Sequence, residues 1–86
     1  MKSITYQIKD KNGLHARPAG KLVRCAERFS SEITVERNGE RADCKKLFSL
    51  MRLGIKPYET VTVSAEGEDE EEAVQSLHET MLREGL

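Results

Sequence analysis

The sequence predicts an α+β fold in which one four-stranded antiparallel sheet carries three helices on a single face. Four short segments alternate apolar and polar residues, the pattern of strands with one buried side. Three other segments repeat apolar residues at three- and four-residue steps, which is one face of a helix. Their order along the chain is strand, helix, strand, strand, helix, strand, helix. Because each strand is half-buried, the helices must cover one side of the sheet only.

Length and composition limit the class of protein. Eighty-six residues are enough for one domain, residues 1–86, with a modest core. The formal net charge of −1 provides no overall field toward nucleic acid or a membrane surface. No apolar run approaches the ~20 residues of a membrane helix, so we expect no membrane insertion. The first residues lack the apolar stretch of a signal peptide, and we expect a cytoplasmic protein.

The first strand and the first helix flank a turn. The strand covers residues 3–8, and residues 10–13 form the turn. The helix begins after His15 and ends at Ser30 and Ser31. Pro18 fits the first helical turn, since the N–H that proline lacks would have no partner there. The residues predicted to face the core are Ile4, Tyr6 and Ile8 in the strand and Ala19, Leu22, Val23, Ala26 and Phe29 in the helix.

A hairpin and a short helix follow. Asn38-Gly39 is a strong two-residue turn signal, because both positions tolerate a positive φ. The inward residues of the two strands are Ile33, Val35, Ala42 and Cys44. The next helix covers residues 47–53 and stops at Gly54. It has more apolar residues than one side can bury, so we expect Phe48 and Met51 to contact a partner. For Leu47 and Leu50, core packing is the competing interpretation.

The last strand and helix complete the fold. Alternation in residues 60–65 predicts the strand, and Gly67 ends it. Asp69 is predicted to cap the last helix, with Glu72 in the capping-box position. His78 lies at the edge of the buried stripe and is predicted to be a surface residue without a partner. The residues predicted to be buried are Val61, Val63 and Ala65 in the strand and Ala73, Val74, Leu77 and Met81 in the helix.

His15 is the residue most suited to chemistry. At a helix N-terminus, free N–H groups and the positive end of the helix dipole favour a bound anion. Arg17 can add a charge-assisted contact to a phosphoryl oxygen, and a neutral imidazole offers a ring nitrogen as a nucleophile. The spacing leaves open that His15 is a surface histidine that only caps the helix. Cys25 and Cys44 fit no metal spacing or disulfide framework, so we expect packing roles, no metal and no cofactor.

Four cations on the first helix form what we call the basic ridge: Arg17, Lys21, Arg24 and Arg28. They are spaced four, three and four residues apart, opposite the apolar face. A charged, solvated helix face is the usual interpretation of such a stripe. Because the ridge starts beside His15, it also suits an acidic partner surface.

The string Gly13-Leu14-His15-Ala16-Arg17-Pro18-Ala19 resembles the active-site signature of the HPr family. These proteins are the histidine-containing phosphocarriers of the bacterial phosphoenolpyruvate:sugar phosphotransferase system. Residues 45–54 resemble the family's second helix and residues 65–70 the start of its last helix, so the resemblance covers almost the whole chain. It implies an open-faced β-sandwich with strand order 1-4-2-3, and a carrier rather than a turnover enzyme. It also implies that enzyme I phosphorylates His15 on the δ nitrogen, that Arg17 stabilises the phosphoryl group, and that sugar-specific IIA proteins receive it.

Two helices are expected to hold the partner surface. Many HPr proteins carry a regulatory serine at the start of the second helix, where this chain has Lys46, so regulation by a serine kinase does not carry over at this residue; phosphorylation of Ser49 instead stays open. Alternative functions are a regulatory module that docks a transcriptional regulator without carrying sugar-transport flux, and a small-anion binding domain. His15 together with Arg17 favours the phosphocarrier, which we expect to be a monomer. The residues assigned to partner binding are Ala16, Gly20, Lys21, Arg24, Lys46, Leu47, Phe48 and Met51.

Overall fold

The computed structural model describes all 86 residues and confirms the predicted order of elements. The strands are β1 (Lys2–Gln7), β2 (Glu32–Arg37), β3 (Glu40–Asp43) and β4 (Thr60–Glu66). The helices are α1 (Ala16–Glu27), α2 (Leu47–Arg52) and α3 (Glu70–Arg83). The boundaries differ from the predicted ones by one or two residues at most ends. Leu53, for example, follows α2 as its C-cap rather than belonging to the helix.

The four strands form one antiparallel sheet in the order β1-β4-β2-β3, which confirms the predicted fold. The register places Ile4 opposite Val63, Val63 opposite Val35, and Val35 opposite Ala42. One row of inward residues therefore crosses the whole sheet. A slip of one residue in any strand would turn its part of this row toward solvent, so the apolar pattern specifies the register.

The helices close one side of the sheet. Helix α3 packs against β1 and β4, α2 lies against β3, and α1 packs against both of the other helices. Leu22, Leu50 and Leu77, one from each helix, are buried in a single core with the inward strand residues. The longest helix, α3, has 14 residues, and none of the helices has the length and apolarity needed to cross a membrane.

The predicted capping box at the start of α3 is wrong. Asp69 occupies the N-cap position, but its side chain makes no bond to its own helix. Its carboxylate accepts hydrogen bonds from the backbone N–H groups of Ser30 and Ser31, at 2.9 and 3.0 Å, and from the Ser31 hydroxyl. These three donors, just after the end of α1, bind the carboxylate at the same time. It therefore accepts them rather than the free N–H groups at the start of α3. Asp69 therefore ties the C-terminal end of α1 to the start of α3.

These contacts predict an acid-sensitive contribution to stability. The Ser31 hydroxyl, followed by the Ser30 N–H, lowers the pKa of Asp69 from 3.8 to about 2. Between pH 3.8 and about 2, Asp69 binds a proton more readily in the unfolded chain than in the folded chain. The stabilisation from these contacts is therefore complete above pH 3.8 and is lost as the pH falls toward 2. We expect Asp69→Asn to lower the free energy of unfolding near neutral pH, and its difference from wild type in denaturant titrations to shrink across this window. A difference that stays constant with pH would contradict the assignment.

The two cysteines and His78 can be compared with their predicted surroundings. Cys25, for which a packing role is predicted, is buried in the core, because α1 is covered by both α2 and α3. His78 is exposed as predicted, but the edge of its ring meets Tyr6 of β1 at a centroid distance of 6.0 Å. Cys44 is buried and free, and burial raises the pKa of its thiol to about 12. The Cys44 thiol therefore stays protonated and unreactive.

Candidate functional site

The loop before α1 is shaped by Gly13, which has a φ of +65°. Its backbone lies so close to the segment after α2 that an added Cβ would be 2.4 Å from the Ile55 carbonyl oxygen. That carbonyl accepts a hydrogen bond of 3.1 Å from the N–H of Leu14, whose side chain is buried. The loop is therefore anchored at Gly13 and Leu14, and this anchoring places His15 at the start of α1.

His15 occupies the N-cap of α1 with an extended backbone, φ −93° and ψ 179°. Its carbonyl accepts the N–H of Ala19 at 3.0 Å, so the first turn of the helix is regular in spite of Pro18. The imidazole makes no capping hydrogen bond, and 40% of the side chain is exposed. The His15 ring is therefore not a side-chain cap of α1, although the residue occupies the N-cap position.

Asp10 holds one edge of the His15 ring. Its Oδ2 lies 3.1 Å from His15 Nε2, while its Oδ1 accepts the N–H of Asn12 at 2.9 Å. The Asn12 N–H, followed by the contact with His15, lowers the pKa of Asp10 below 3.8. An ionised carboxylate only accepts hydrogen bonds, so Nε2 carries the proton. The other ring nitrogen, Nδ1, has no hydrogen-bond partner in the structure, and in the neutral ring it bears the lone pair.

Sequence reasoning missed Asp10. The residue is the first of a turn whose composition already explains an aspartate, because aspartate side chains accept the N–H two residues further on. The available signal was a carboxylate five residues before a candidate nucleophile. Only the fold of the loop shows that the second carboxylate oxygen reaches the ring.

Donors for an anion lie at the same end of α1 as His15. The N–H groups of Ala16 and Arg17 are the first of α1 and have no intrahelical partner, and Pro18 contributes none. The Arg17 side chain is exposed, and it forms no ion pair and no hydrogen bond with His15. Two backbone donors, one unpaired guanidinium and the helix dipole thus share the end of α1 that carries His15.

Comparison with known proteins identifies the family. The family model described as "PTS HPr component phosphorylation site" matches residues 2–82. The chain belongs to the HPr family. The histidine-containing phosphocarrier protein of Mycoplasma is 36% identical, with 99% of this chain and 97% of that chain covered and a TM-score of 0.97. An HPr of Thermoanaerobacter tengcongensis is 44% identical, with coverages of 95% and 92% and a TM-score of 0.91.

A third relative is linked to a different process. The Bacillus subtilis protein Crh, a catabolite repression protein described as a domain-swapped dimer, is 36% identical to this chain. The match covers 100% of this chain and 99% of Crh, with a TM-score of 0.77. This chain is therefore similar both to a histidine-containing phosphocarrier protein and to a protein linked to catabolite repression.

In this member of the HPr family, the basic ridge has no acidic partner within the chain. Its four side chains are exposed, and none forms an ion pair with an acidic residue. The guanidinium of Arg28 lies 5.7 Å from the centre of the Phe29 ring. The positive charge of the ridge is therefore available to an acidic surface.

Helix α2 presents one exposed aromatic residue. Phe48 is 83% exposed, whereas Leu50 points into the core. Leu47 and Met51 are half-buried and pack against the core, because they flank Leu50 on a helix of six residues. Partner contact by Met51 stays a prediction, and its side chain also packs partly against the core. The exposed apolar patch of α2 is therefore Phe48 with the accessible parts of Leu47 and Met51.

Lys46 is the N-cap of α2, the position of the regulatory serine in many HPr proteins. Its side chain makes no capping bond, because an ammonium group has donors and no acceptor. The residue is exposed and carries a positive charge beside Phe48. The other residues assigned to partner binding divide between exposed Ala16, Lys21 and Arg24 and half-buried Gly20.

Proposed function

We propose that this chain is a phosphocarrier of the phosphotransferase system, in which His15 accepts a phosphoryl group from enzyme I and donates it to a sugar-specific IIA protein. The observation that carries this proposal is an exposed imidazole at a helix N-cap whose Nδ1 is unpaired. Membership of the HPr family supports the same role. The proposal places the protein in the cytoplasm, acting as a monomer and as a carrier rather than an enzyme with its own turnover.

The geometry supports in-line transfer at Nδ1. The nitrogen lone pair forms a bond to phosphorus while the bond from phosphorus to the donor breaks, and its electron pair stays with the donor. Charge on the phosphoryl oxygens is stabilised by the N–H groups of Ala16 and Arg17 and by the Arg17 guanidinium. The same steps in reverse deliver the group to the acceptor. No substrate pocket is needed, because the donor and acceptor proteins supply the other half of each site.

We propose that enzyme I and the IIA protein bind the same surface, the basic ridge together with α2, one after the other. Enzyme I and a IIA protein must each bind beside His15 and then leave, so a transient interface of modest area is expected. Unpaired cations steer an acidic partner toward the site, and Phe48 supplies an apolar anchor. Lys46 provides no hydroxyl for a serine kinase at this surface, so we propose that transfer is not switched there.

A regulatory module is the second candidate, because the chain is also similar to Crh. Incubation with enzyme I and phosphoenolpyruvate, followed by intact mass measurement, separates the two functions. A carrier gains the mass of one phosphoryl group and loses it when a IIA protein is added. Absence of phosphorylation, with binding to a transcriptional regulator intact, would favour the regulatory module.

The exposed aromatic of α2 gives a prediction about docking. Phe48→Ala should slow phosphoryl transfer by about tenfold while leaving the melting temperature nearly unchanged, because an exposed ring contributes to interfaces and little to the core. Transfer kinetics at several enzyme I concentrations will measure it. Leu82→Ala is the matched control, since Leu82 is 59% exposed on α3 and lies outside the proposed surface. Equal rates for both variants would remove Phe48 from the interface.

A further inference from the structure

Three hydrogen bonds, one to the carboxylate and two to the backbone, hold Asp10 in place. Oδ1 accepts the N–H of Asn12, and the backbone N–H of Asp10 donates to the carbonyl of Leu86 at 3.1 Å. The Asp10 carbonyl accepts the N–H of Gly13 at 2.9 Å. With the backbone and one oxygen fixed, Oδ2 is directed at His15 Nε2. The side chain is only 20% exposed, so water competes weakly for this contact.

We infer that Asp10 is the positioning residue that keeps the His15 proton on Nε2 and thereby makes Nδ1 the phosphoryl acceptor. This inference rests on the proposed function. A neutral imidazole has one N–H and one bare nitrogen, and the partner of the N–H decides which nitrogen is bare. A carboxylate at Nε2 requires the proton there. The lone pair then lies on Nδ1, the nitrogen without a partner.

Asp10 also suits the charge that the reaction creates. When the Nδ1 lone pair bonds to phosphorus, the ring keeps its Nε2 proton and gains one formal positive charge. The bond to the donor breaks with its electron pair, so no proton has to leave Nδ1. A carboxylate 3.1 Å from Nε2 stabilises the positive ring as it forms, as the aspartate of a serine-protease triad does for its histidine. The reverse transfer returns the electron pair to Nδ1 and restores the neutral ring.

Two variants separate this role from a purely structural one. In Asp10→Asn the amide oxygen is held by the Asn12 N–H, so the amide NH₂ faces Nε2 and requires a lone pair there. The ring proton then moves to Nδ1 and blocks the acceptor. Asp10→Ala removes the turn contact and leaves the ring proton distributed between Nδ1 and Nε2. If Asp10 positions the ring proton, Asp10→Asn should be phosphorylated more slowly than Asp10→Ala. If Asp10 only supports the turn, Asp10→Ala should be the slower variant.

The ring proton is measured directly by ¹⁵N NMR of the imidazole in the unphosphorylated protein, at a pH where the ring is neutral. We expect Nε2–H in the wild type, Nδ1–H in Asp10→Asn and a mixture in Asp10→Ala. Exposed His78, which makes no hydrogen bond, provides the reference spectrum of a free ring. Asp43→Asn is the matched control, because Asp43 accepts the N–H of Lys45 at 2.8 Å in the same type of turn with no histidine bonded to it. It should leave the His15 spectrum unchanged.

Labelling by enzyme I and phosphoenolpyruvate provides the second measurement. We expect Asp10→Asn to be phosphorylated at least about tenfold more slowly than wild type, with Asp10→Ala between them. An unchanged His15 spectrum in Asp10→Asn, wild-type labelling of that variant, or slower labelling of the alanine variant would overturn the inference. If the wild type itself is never labelled, the proposed function fails, while the spectra still decide the role of Asp10.

Discussion

Replacing His15 with alanine is expected to abolish phosphorylation by enzyme I while the domain stays folded. The ring is exposed and makes a single hydrogen bond, to Asp10, so its loss removes little stability. The two residues that carry the free N–H groups of α1 offer no other acceptor, because Arg17 is a cation and Ala16 has no nucleophilic group. Intact mass after incubation with enzyme I and phosphoenolpyruvate should show no added phosphoryl group.

The chemistry of the label provides a second criterion. A phosphoryl group on an imidazole nitrogen is labile to acid and resistant to alkali, whereas an ester on serine or threonine survives acid. His78→Ala is the matched control, since His78 is the other histidine and is exposed on α3. This control should be labelled like the wild type. Label that resists acid, or that persists in His15→Ala, would contradict the assignment of His15.

The second large effect is expected for Gly13→Ala, which should lower the free energy of unfolding by about 3 kcal/mol. Alanine at a φ of +65° is strained, and its Cβ would lie 2.4 Å from the Ile55 carbonyl oxygen and 3.1 Å from the Lys56 Cα. Both contacts are with backbone atoms, which cannot rotate away as a side chain would. The loop must therefore shift, and the bond from Leu14 to Ile55 is lost or lengthened. Denaturant titration measures the loss of stability.

Gly54→Ala separates the clash from the backbone strain. Gly54 has a φ of +60°, and an added Cβ there meets nothing within 4 Å. This variant should lose only about 1 kcal/mol, the cost of a left-handed alanine. Gly13→Ala should also slow labelling, since a shifted loop displaces His15 and Asp10. Equal destabilisation of the two variants would show that the packing of Gly13 against Ile55 contributes nothing.

Sequence patterns were sufficient to predict the strands and helices and the residue at the centre of the proposed site, His15. Alternation fixes the inward face of a strand because successive side chains point to opposite sides, so Ile4, Val35 and Val63 could be assigned to the core from the sequence. The helical spacing after His15 and the proline in the first turn predicted the start of α1. The string around His15 added the family and its strand order, which local patterns do not contain. The proposed acceptor and its helix end therefore follow from the order of residues along the chain.

The contacts that orient these parts depend on residues distant along the chain, and the tertiary structure alone decided them. The Asp69 carboxylate satisfies the N–H groups of Ser30 and Ser31 rather than its own helix, because folding brings the end of α1 to the start of α3. Met51 packs partly inward because six residues of α2 must cover the core around Leu50. Asp10 reaches His15 because the loop closes on Ile55 and turns the carboxylate back toward the ring. A sequence lists donors and acceptors, but the pairs they form are set by which of them the packed backbone brings within hydrogen-bond distance.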